Sequence, residues 1–350
     1  MAGKKLRVGF VGTGGIATNT HFPGWQALAD RAEIAAVCDI REAAANAAAK
    51  MVGLPKSKVF SDYNEMLGKV ELDIVDVCTP NVFHKGPTIA GLNAGCHVIV
   101  EKPVAVSAAE VEEMIVARDR SRKLLMVAQS MRFSAEAMAA KRFVDEGGTG
   151  PIYWGKAEYL RNRGVPAWGT FIDAEMSAGG PCYDLQVHVL DLCLHLMGFP
   201  QPVSVSAGYW CEIANHPSVM AHDPKKYTVP EDLAAGFVRL KNGAAISMGA
   251  SWALNIADTV HNVTVCGPKG GVNMAPFTLV REERGMFTVT QPKVLPRAGV
   301  KSHAEEIRQF VEAIQTGGSS PVPPEEALIT QKILDAIYES GQKGREVKIK

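Results

Sequence analysis

From Leu6 to Gln129 short runs of β-branched and other apolar residues alternate with stretches in which apolar positions recur every three or four residues. Continuous apolar runs predict strands buried on both faces, and the helical period predicts amphipathic helices between them. The predicted strands are Arg7–Val11, Ile34–Cys38, a shorter one near Val59, Ile74–Cys78, Val98–Glu101 and Leu125–Ala128. The helices include Glu42–Met51, Thr88–Ala94 and Ala108–Ser121. Such alternation folds as a parallel sheet with helices on both sides. Pro23 interrupts the first connection, so the helix there starts late or bends.

After Gln129 the pattern changes. A helix over Ala135–Asp145, a strand over Tyr153–Leu160 and a helix over Leu185–Met197 precede short alternating runs at Val203–Ala207, Ala234–Leu240, Ala245–Trp252, Asn262–Cys266 and Phe287–Thr290. With Asn242-Gly243 as a hairpin turn, these predict an antiparallel sheet. Helices over His303–Gln315 and Glu325–Glu339 close the chain, the second opened by Pro323-Pro324. The expected fold is therefore α/β in two domains, a Rossmann domain over 1–129 and a second α/β domain with a large, mostly antiparallel open sheet over 130–350. No internal repeat or low-complexity linker separates them.

Length and composition agree with two cores: 350 residues, 47% apolar and 21% charged. Lys plus Arg and Asp plus Glu both number 37, so no basic field exists to hold nucleic acid or an anionic membrane, and a small-molecule partner is expected. The seven cysteines include no C-x-x-C pair, which points to a reducing compartment. Lys4-Lys5 lead into an apolar stretch, Leu6–Val11, too short for a signal peptide or a membrane span. The expected location is the cytoplasm.

Gly12-Thr13-Gly14-Gly15-Ile16-Ala17 follows the first strand and fits G-x-G-x-x-A. In that pattern the first glycine permits the turn, the second lets backbone approach a pyrophosphate, and the small last residue allows close helix packing. The hexapeptide alone is a weak signal, and its position between strand and helix strengthens it. Asp39 ends the second strand, where a carboxylate can accept from the ribose hydroxyls of NAD; the alternative is a helix N-cap. NAD is expected over NADP, although Arg41 lies near enough in sequence to pair with a phosphate. Thr79-Pro80-Asn81, with His84 shortly after, and Glu101-Lys102-Pro103 sit at strand ends where open sheets bind ligands, bordering the nicotinamide half. Asn81 could equally be a cap.

In the second domain Gly179-Gly180 precedes Asp184, His188 and Asp191, spaced four and three apart on one helix face. Two carboxylates and an imidazole on one face suit a proton-transfer group with a carboxylate to orient it. The rivals are a metal site from Asp184, His188 and His195, unsupported by any H-E-x-x-H or Cys pairing, and a histidine satisfied in packing.

These motifs together resemble the glucose–fructose oxidoreductase / inositol dehydrogenase / MocA family over nearly the whole chain. They are joined in this by the closing Glu325-Glu326-Ala327 and Ala336-Ile337-Tyr338-Glu339-Ser340 segments. The resemblance implies a Rossmann domain joined to an α/β domain whose open sheet often mediates dimer or tetramer contact. It implies that Lys102, Asp184 and His188 line the substrate hydroxyl, with His188 as acid/base. It implies hydride exchange with sugars, inositols or their derivatives; a few members instead cleave glycosides without net redox, using tightly bound NAD. Arg161, Arg163 and Trp168 occupy the loop where members differ and, with Arg132, are the candidate substrate contacts; no metal is expected. A non-catalytic NAD-dependent sensor could dispense with Lys102, Asp184 and His188, all of which are present.

Overall fold

The computed structural model describes residues 5–349, so Lys4 lies outside the described residues. The chain divides into two units, Met1–Ser130 with Lys301–Leu328, and Met131–Val300 with Ile329–Lys350.

The first unit holds a six-stranded parallel sheet: β1 (Leu6–Val11), β2 (Ala32–Cys38), β3 (Val59–Phe60), β4 (Ile74–Val77), β5 (His97–Glu101) and β6 (Leu125–Ala128). Their order across the sheet is β3-β2-β1-β4-β5-β6. Val8, Phe10, Ile74, Val75, Val98, Ile99, Val100, Leu125, Met126 and Val127 are wholly buried, which is why these strands read as unbroken apolar runs. The chain reverses direction of winding between β1 and β4, and ligands bind beyond the carboxyl ends at such a switch point.

In the first connection the helix is irregular just ahead of Pro23. Residues Ala17–His21 form a π turn, closed by the Phe22 N–H on the Ala17 carbonyl, before an α-helix over Phe22–Gln26. Pro23 has no N–H to return to the preceding turn, and the coil widens there.

The second unit does not take the whole remainder of the chain. Helix Ser302–Thr316 buries Ile307, Phe310 and Val311 in the first unit, and the Val127 N–H donates to the Val322 carbonyl at 3.2 Å. Residues 301–328 thus return to the Rossmann core, and the expected domain of 130–350 is interrupted.

The second unit is built on nine strands: β7 (Trp154–Leu160), β8 (Pro202–Trp210), β9 (Leu233–Leu240), β10 (Ala245–Ser251), β11 (Val260–Cys266), β12 (Gly270–Met274), β13 (Phe277–Glu283), β14 (Met286–Thr290) and β15 (Val347–Lys348). Their order is β14-β13-β12-β11-β7-β10-β9-β8-β15, antiparallel except for the β7–β10 pair. The expected turn joins β9 to β10, with Gly243 at φ +85°. Helix Val187–Met197 packs on β7 and β11, and Leu190, Leu194, Val238, Ile246, Val263, Ile333 and Ile337 form the core beneath.

Candidate active site

At the end of β1 the chain turns through Gly12 at φ +90°, where a Cβ would lie 2.6 Å from the Cys78 carbonyl carbon and oxygen. No side chain fits, so β1 and β4 approach closely at the switch point. A Cβ on Gly14 would instead meet nothing within 4 Å. The loop therefore presents bare backbone to an open space at the start of a helix, the shape a pyrophosphate needs. Ile16 on the same loop is 38% exposed, an apolar side chain left uncovered beside that space. Asp39, nearly buried at the end of β2, accepts from the Thr13 N–H (2.9 Å) and hydroxyl (3.0 Å) and from the Arg41 N–H (2.9 Å). Burial opposes its charge, but those donors hold its carboxyl below the ordinary range. The Arg41 guanidinium reaches Asp39 at 3.3 Å and remains 67% exposed.

The strand ends after β4 and β5 are tied from beneath. His84 is buried, with Nδ1 2.7 Å from the Pro103 carbonyl and Nε2 2.8 Å from the Thr79 carbonyl. It lies between the Thr79-Pro80-Asn81 loop and the Glu101-Lys102-Pro103 loop, and burial holds it below the usual histidine range, so a single ring N–H donates to one of the two carbonyls. Glu101, expected to contact cofactor, is likewise buried: Oε1 lies 2.8 Å from His21 Nε2 and Oε2 accepts the Lys102 N–H at 3.0 Å. Thr79, Pro80, Asn81 and Lys102 stay half-buried at the rim.

In the second unit the chain enters its central helix through Gly179-Gly180. A Cβ on Gly180 would fall 2.3 Å from the Glu231 carbonyl oxygen, and one on Gly179 would fall 2.4 Å from Tyr183 and Tyr338. That closeness lets Glu231 Oε1 accept the Gly180 and Cys182 N–H groups (2.9 and 3.1 Å), capping the helix start, with the Tyr338 hydroxyl a third donor at 2.8 Å. Cys182–Gln186 then form a π turn before the α-helix Val187–Met197. From Gly179 to Leu194 every residue is buried except Asp184 and His188. The Asp184 Oδ2 accepts the Trp252 indole N–H at 2.9 Å.

The sequence itself places this arrangement. The family model described as an oxidoreductase family's NAD-binding Rossmann fold matches residues 6–129, and that of the same family's C-terminal α/β domain matches 141–349. The chain belongs to the Gfo/Idh/MocA oxidoreductase family. Among its relatives, D-glucoside 3-dehydrogenase of Escherichia coli is 32% identical over 100% of this chain and 99% of its own. The scyllo-inositol 2-dehydrogenase (NADP(+)) of Bacillus subtilis is 27% identical over 84% of this chain and 83% of its own. Levoglucosan dehydrogenase in complex with NADH shares the fold with a TM-score of 0.86 at 21% identity, covering 99% of this chain and 100% of its own. The chain is thus an oxidoreductase with the family's cofactor fold.

Against that family pattern two expected site residues are given over to the interior. Arg132, a candidate substrate contact, is 3% exposed; its Nε and Nη2 each donate at 2.7 Å to the two oxygens of Asp191, and it lies 4.8 Å over the Phe199 ring. A buried charge is retained only with such a partner, so the two groups are spent on each other in the core. Asp191 consequently leaves Asp184 as the carboxylate beside His188. Arg161 lies over the Tyr159 ring at 4.9 Å and donates to Tyr159 and to the Gly164 carbonyl; Arg163 donates to the Asn162 and Leu254 carbonyls. They brace the loop that carries them, and Trp168 stands 68% exposed on it.

Two further residues escape sequence reading, His21 and Glu231. His21, Asp76 and Cys78 bring ligand atoms within 4.8 Å of one another, the group among the described residues with metal-like spacing. Those atoms are engaged with each other, His21 Nδ1 lying 2.8 Å from Asp76 Oδ2 and Cys78 Sγ 3.2 Å from Asp76 Oδ1, so the set is a hydrogen-bonded cluster. The signal for His21 was its place four residues beyond the glycine loop; for Glu231 there was none short of the fold.

Proposed function

We propose that this protein is an NAD-dependent dehydrogenase acting on a hydroxyl carbon of a sugar, an inositol or a sugar derivative. The observation that carries the reading is the pair Asp184 and His188, the two residues brought out of an otherwise buried helix, four apart, with Asp184 fixed by Trp252. Apolar packing would not select an imidazole and a carboxylate there. The names of the glucoside and inositol relatives support the substrate class.

NAD fits the first unit: Gly12, Gly14, Gly15 and Ile16 would hold the pyrophosphate, Asp39 the adenosine ribose, and Thr79, Pro80 and Asn81 would border the nicotinamide. When bound, the cofactor supplies the hydride acceptor. His188 takes the hydroxyl proton, directly or through a water, and Asp184 orients it. Lys102 of the first unit is assigned the role of polarising a substrate hydroxyl. Such proton transfer contributes on the order of a hundred- to ten-thousand-fold. NAD is preferred over NADP because the Asp39 carboxylate repels a 2′-phosphate.

The setting proposed is a cytoplasmic homodimer or homotetramer joined through the nine-stranded sheet, where Val203, Trp210 and Phe237 on β8 and β9 are exposed. Light scattering that returns a monomer at micromolar concentration overturns the assembly. Among the described residues no helix is long and apolar enough to cross a membrane.

A redox-neutral glycosidase needs a second base beside the acidified C–H bond, and nothing favours one. Tyr183 is buried, accepting from the Gln331 amide at 3.3 Å, and Tyr159 is stacked on His261 at 4.0 Å. The deciding assay incubates enzyme, NAD and a panel of free sugars, inositols and aryl glycosides, following NADH and aglycone together. NADH in proportion to oxidised product is expected, and aglycone release with trace NADH overturns the reading. Lys102→Ala and His188→Ala are expected to lower turnover about a hundredfold or more with NAD affinity by calorimetry nearly unchanged. Normal turnover in His188→Ala removes its role.

A further inference from the structure

His21 is wholly buried at the end of the π turn that follows the glycine loop. Its Nδ1 faces both Asp76 oxygens, at 2.8 and 3.1 Å, and its Nε2 faces Glu101 Oε1 at 2.8 Å. Ionised carboxylates only accept, so each ring nitrogen must carry a hydrogen and the ring a positive charge. Asp76 is filled out by the Trp25 indole N–H at 2.7 Å and the Cys78 thiol at 3.2 Å. Glu101 spends its other oxygen on the Lys102 backbone N–H. One imidazole thus connects the glycine-loop helix, the end of β4 and the end of β5, and its last link fixes the residue from which the Lys102 side chain departs.

We propose that His21 is a positioning residue for Lys102, acting as a permanent imidazolium clamped between Asp76 and Glu101. The inference rests on the reading that Lys102 acts on the substrate hydroxyl. The other titratable groups around the ring leave the charge in place. Burial keeps the Cys78 thiol protonated and drives Glu306 toward its neutral acid, while burial holds His303, 6.3 Å away ring to ring, below the usual histidine range. For His21 itself burial opposes the proton and Asp76 and Cys78 favour it, with a net shift well upward; Glu101 is correspondingly pulled down to about 2, where burial is outweighed by His21. Lys102 is the remaining cation facing Glu101.

The test has two arms. In the wild-type enzyme, ¹⁵N NMR of the histidines is expected to show one imidazole with both nitrogens protonated from pH 6 to pH 9, absent in His21→Gln; a neutral His21 at pH 8 overturns the proposal, whatever the variants do. In the second arm His21→Gln and His21→Asn, whose amides cannot donate on both sides, are expected to lower kcat about a hundredfold while the NAD Kd moves by less than about threefold. In a Lys102→Ala background the same substitutions are expected to change residual kcat less than about threefold, because the object they position is gone. An equal loss in both backgrounds overturns the positioning role alone. Full turnover in Lys102→Ala overturns the role assigned to Lys102, and the positioning with it. If the His21 variants do not fold, Glu101→Gln, which keeps an acceptor for Lys102 but lets His21 go neutral, carries the same double comparison.

Discussion

At Asp39 one carboxylate oxygen accepts from Thr13 and the other from Arg41, with the Arg41 guanidinium mostly in solvent beside it. Two opposed charges therefore stand at the position proposed for the adenosine ribose, and removing either separates their effects. Asp39→Ser is expected to raise the ratio of kcat/KM for NADP over NAD by about tenfold or more, since a like charge facing a phosphate is removed and Arg41 remains. Arg41→Ala is expected to lower that ratio. Initial rates with both cofactors decide it, and a ratio unmoved in Asp39→Ser removes Asp39 from cofactor choice. At this scale the sequence showed which residues matter more clearly than how they act. Glu101, His84, Arg132 and Asp191 all have polar side chains suited to a ligand, and all four are turned inward to pair with groups far along the chain, such as His21 with Glu101. Spacing within a motif carries no information about a partner eighty residues away.

Among the elements, the helix bearing Asp184 and His188 was legible from its period, whereas its entry was not. The π turn and the Glu231 cap depend on Gly180 lying against a loop fifty residues later, and no local signal marks them. Strand β12 escaped for a related reason. β12 opens on Gly270-Gly271, where a Cβ on Gly270 would fall 2.5 Å from the Val280 carbonyl, so close packing replaces the apolar alternation that reveals a strand. The Glu231 cap has a measurable consequence. Its burial outweighs the donors at Oε1 and pushes the carboxyl from 4.5 up to about 7, with Oε2, buried without a partner, holding the proton. The folded state then binds a proton that the unfolded chain releases. The contribution is full below pH 4.5 and is lost as pH rises to about 7, a change of about 3 kcal/mol at most. Calorimetric melting is expected to show wild type losing stability relative to Glu231→Gln between pH 5 and pH 8, since glutamine keeps the acceptor without the titration. Parallel pH profiles for the two would show that Glu231 is ionised throughout.

On the scale of the whole molecule the chain leaves the first unit at Ser130, builds the second, and comes back at Lys301. A helical period over His303–Gln315 was visible in the sequence, but nothing in it tells which core the apolar face joins; that is decided by complementary shape. Gly24 is bare because a Cβ there would meet Ile307 Cδ1 at 2.6 Å, and Arg31 reaches Gln315 with two hydrogen bonds of 2.9 and 2.7 Å. Further along, Val322 extends the hydrogen bonding of β6, and Glu325 pairs with Arg118. A polypeptide ending at Ser130 would therefore uncover the sides of helix Phe22–Gln26 and of β6 on which helix Ser302–Thr316, with its buried Ile307, Phe310 and Val311, packs. Losing three large buried side chains costs about 5 kcal/mol or more, comparable to the whole stability of a small domain. Residues 1–130 alone are expected to show no cooperative melting transition and no NAD binding by calorimetry. The same residues joined through a short Gly/Ser linker to 301–328 are expected to melt cooperatively and bind NAD, because every residue proposed to hold cofactor, from Gly12 to Lys102, and the His21 cluster, with its neighbours His303 and Glu306, lies within those two segments. Cooperative folding and NAD binding by 1–130 without the returning helix would show that residues 301–328 decorate the first unit rather than complete it.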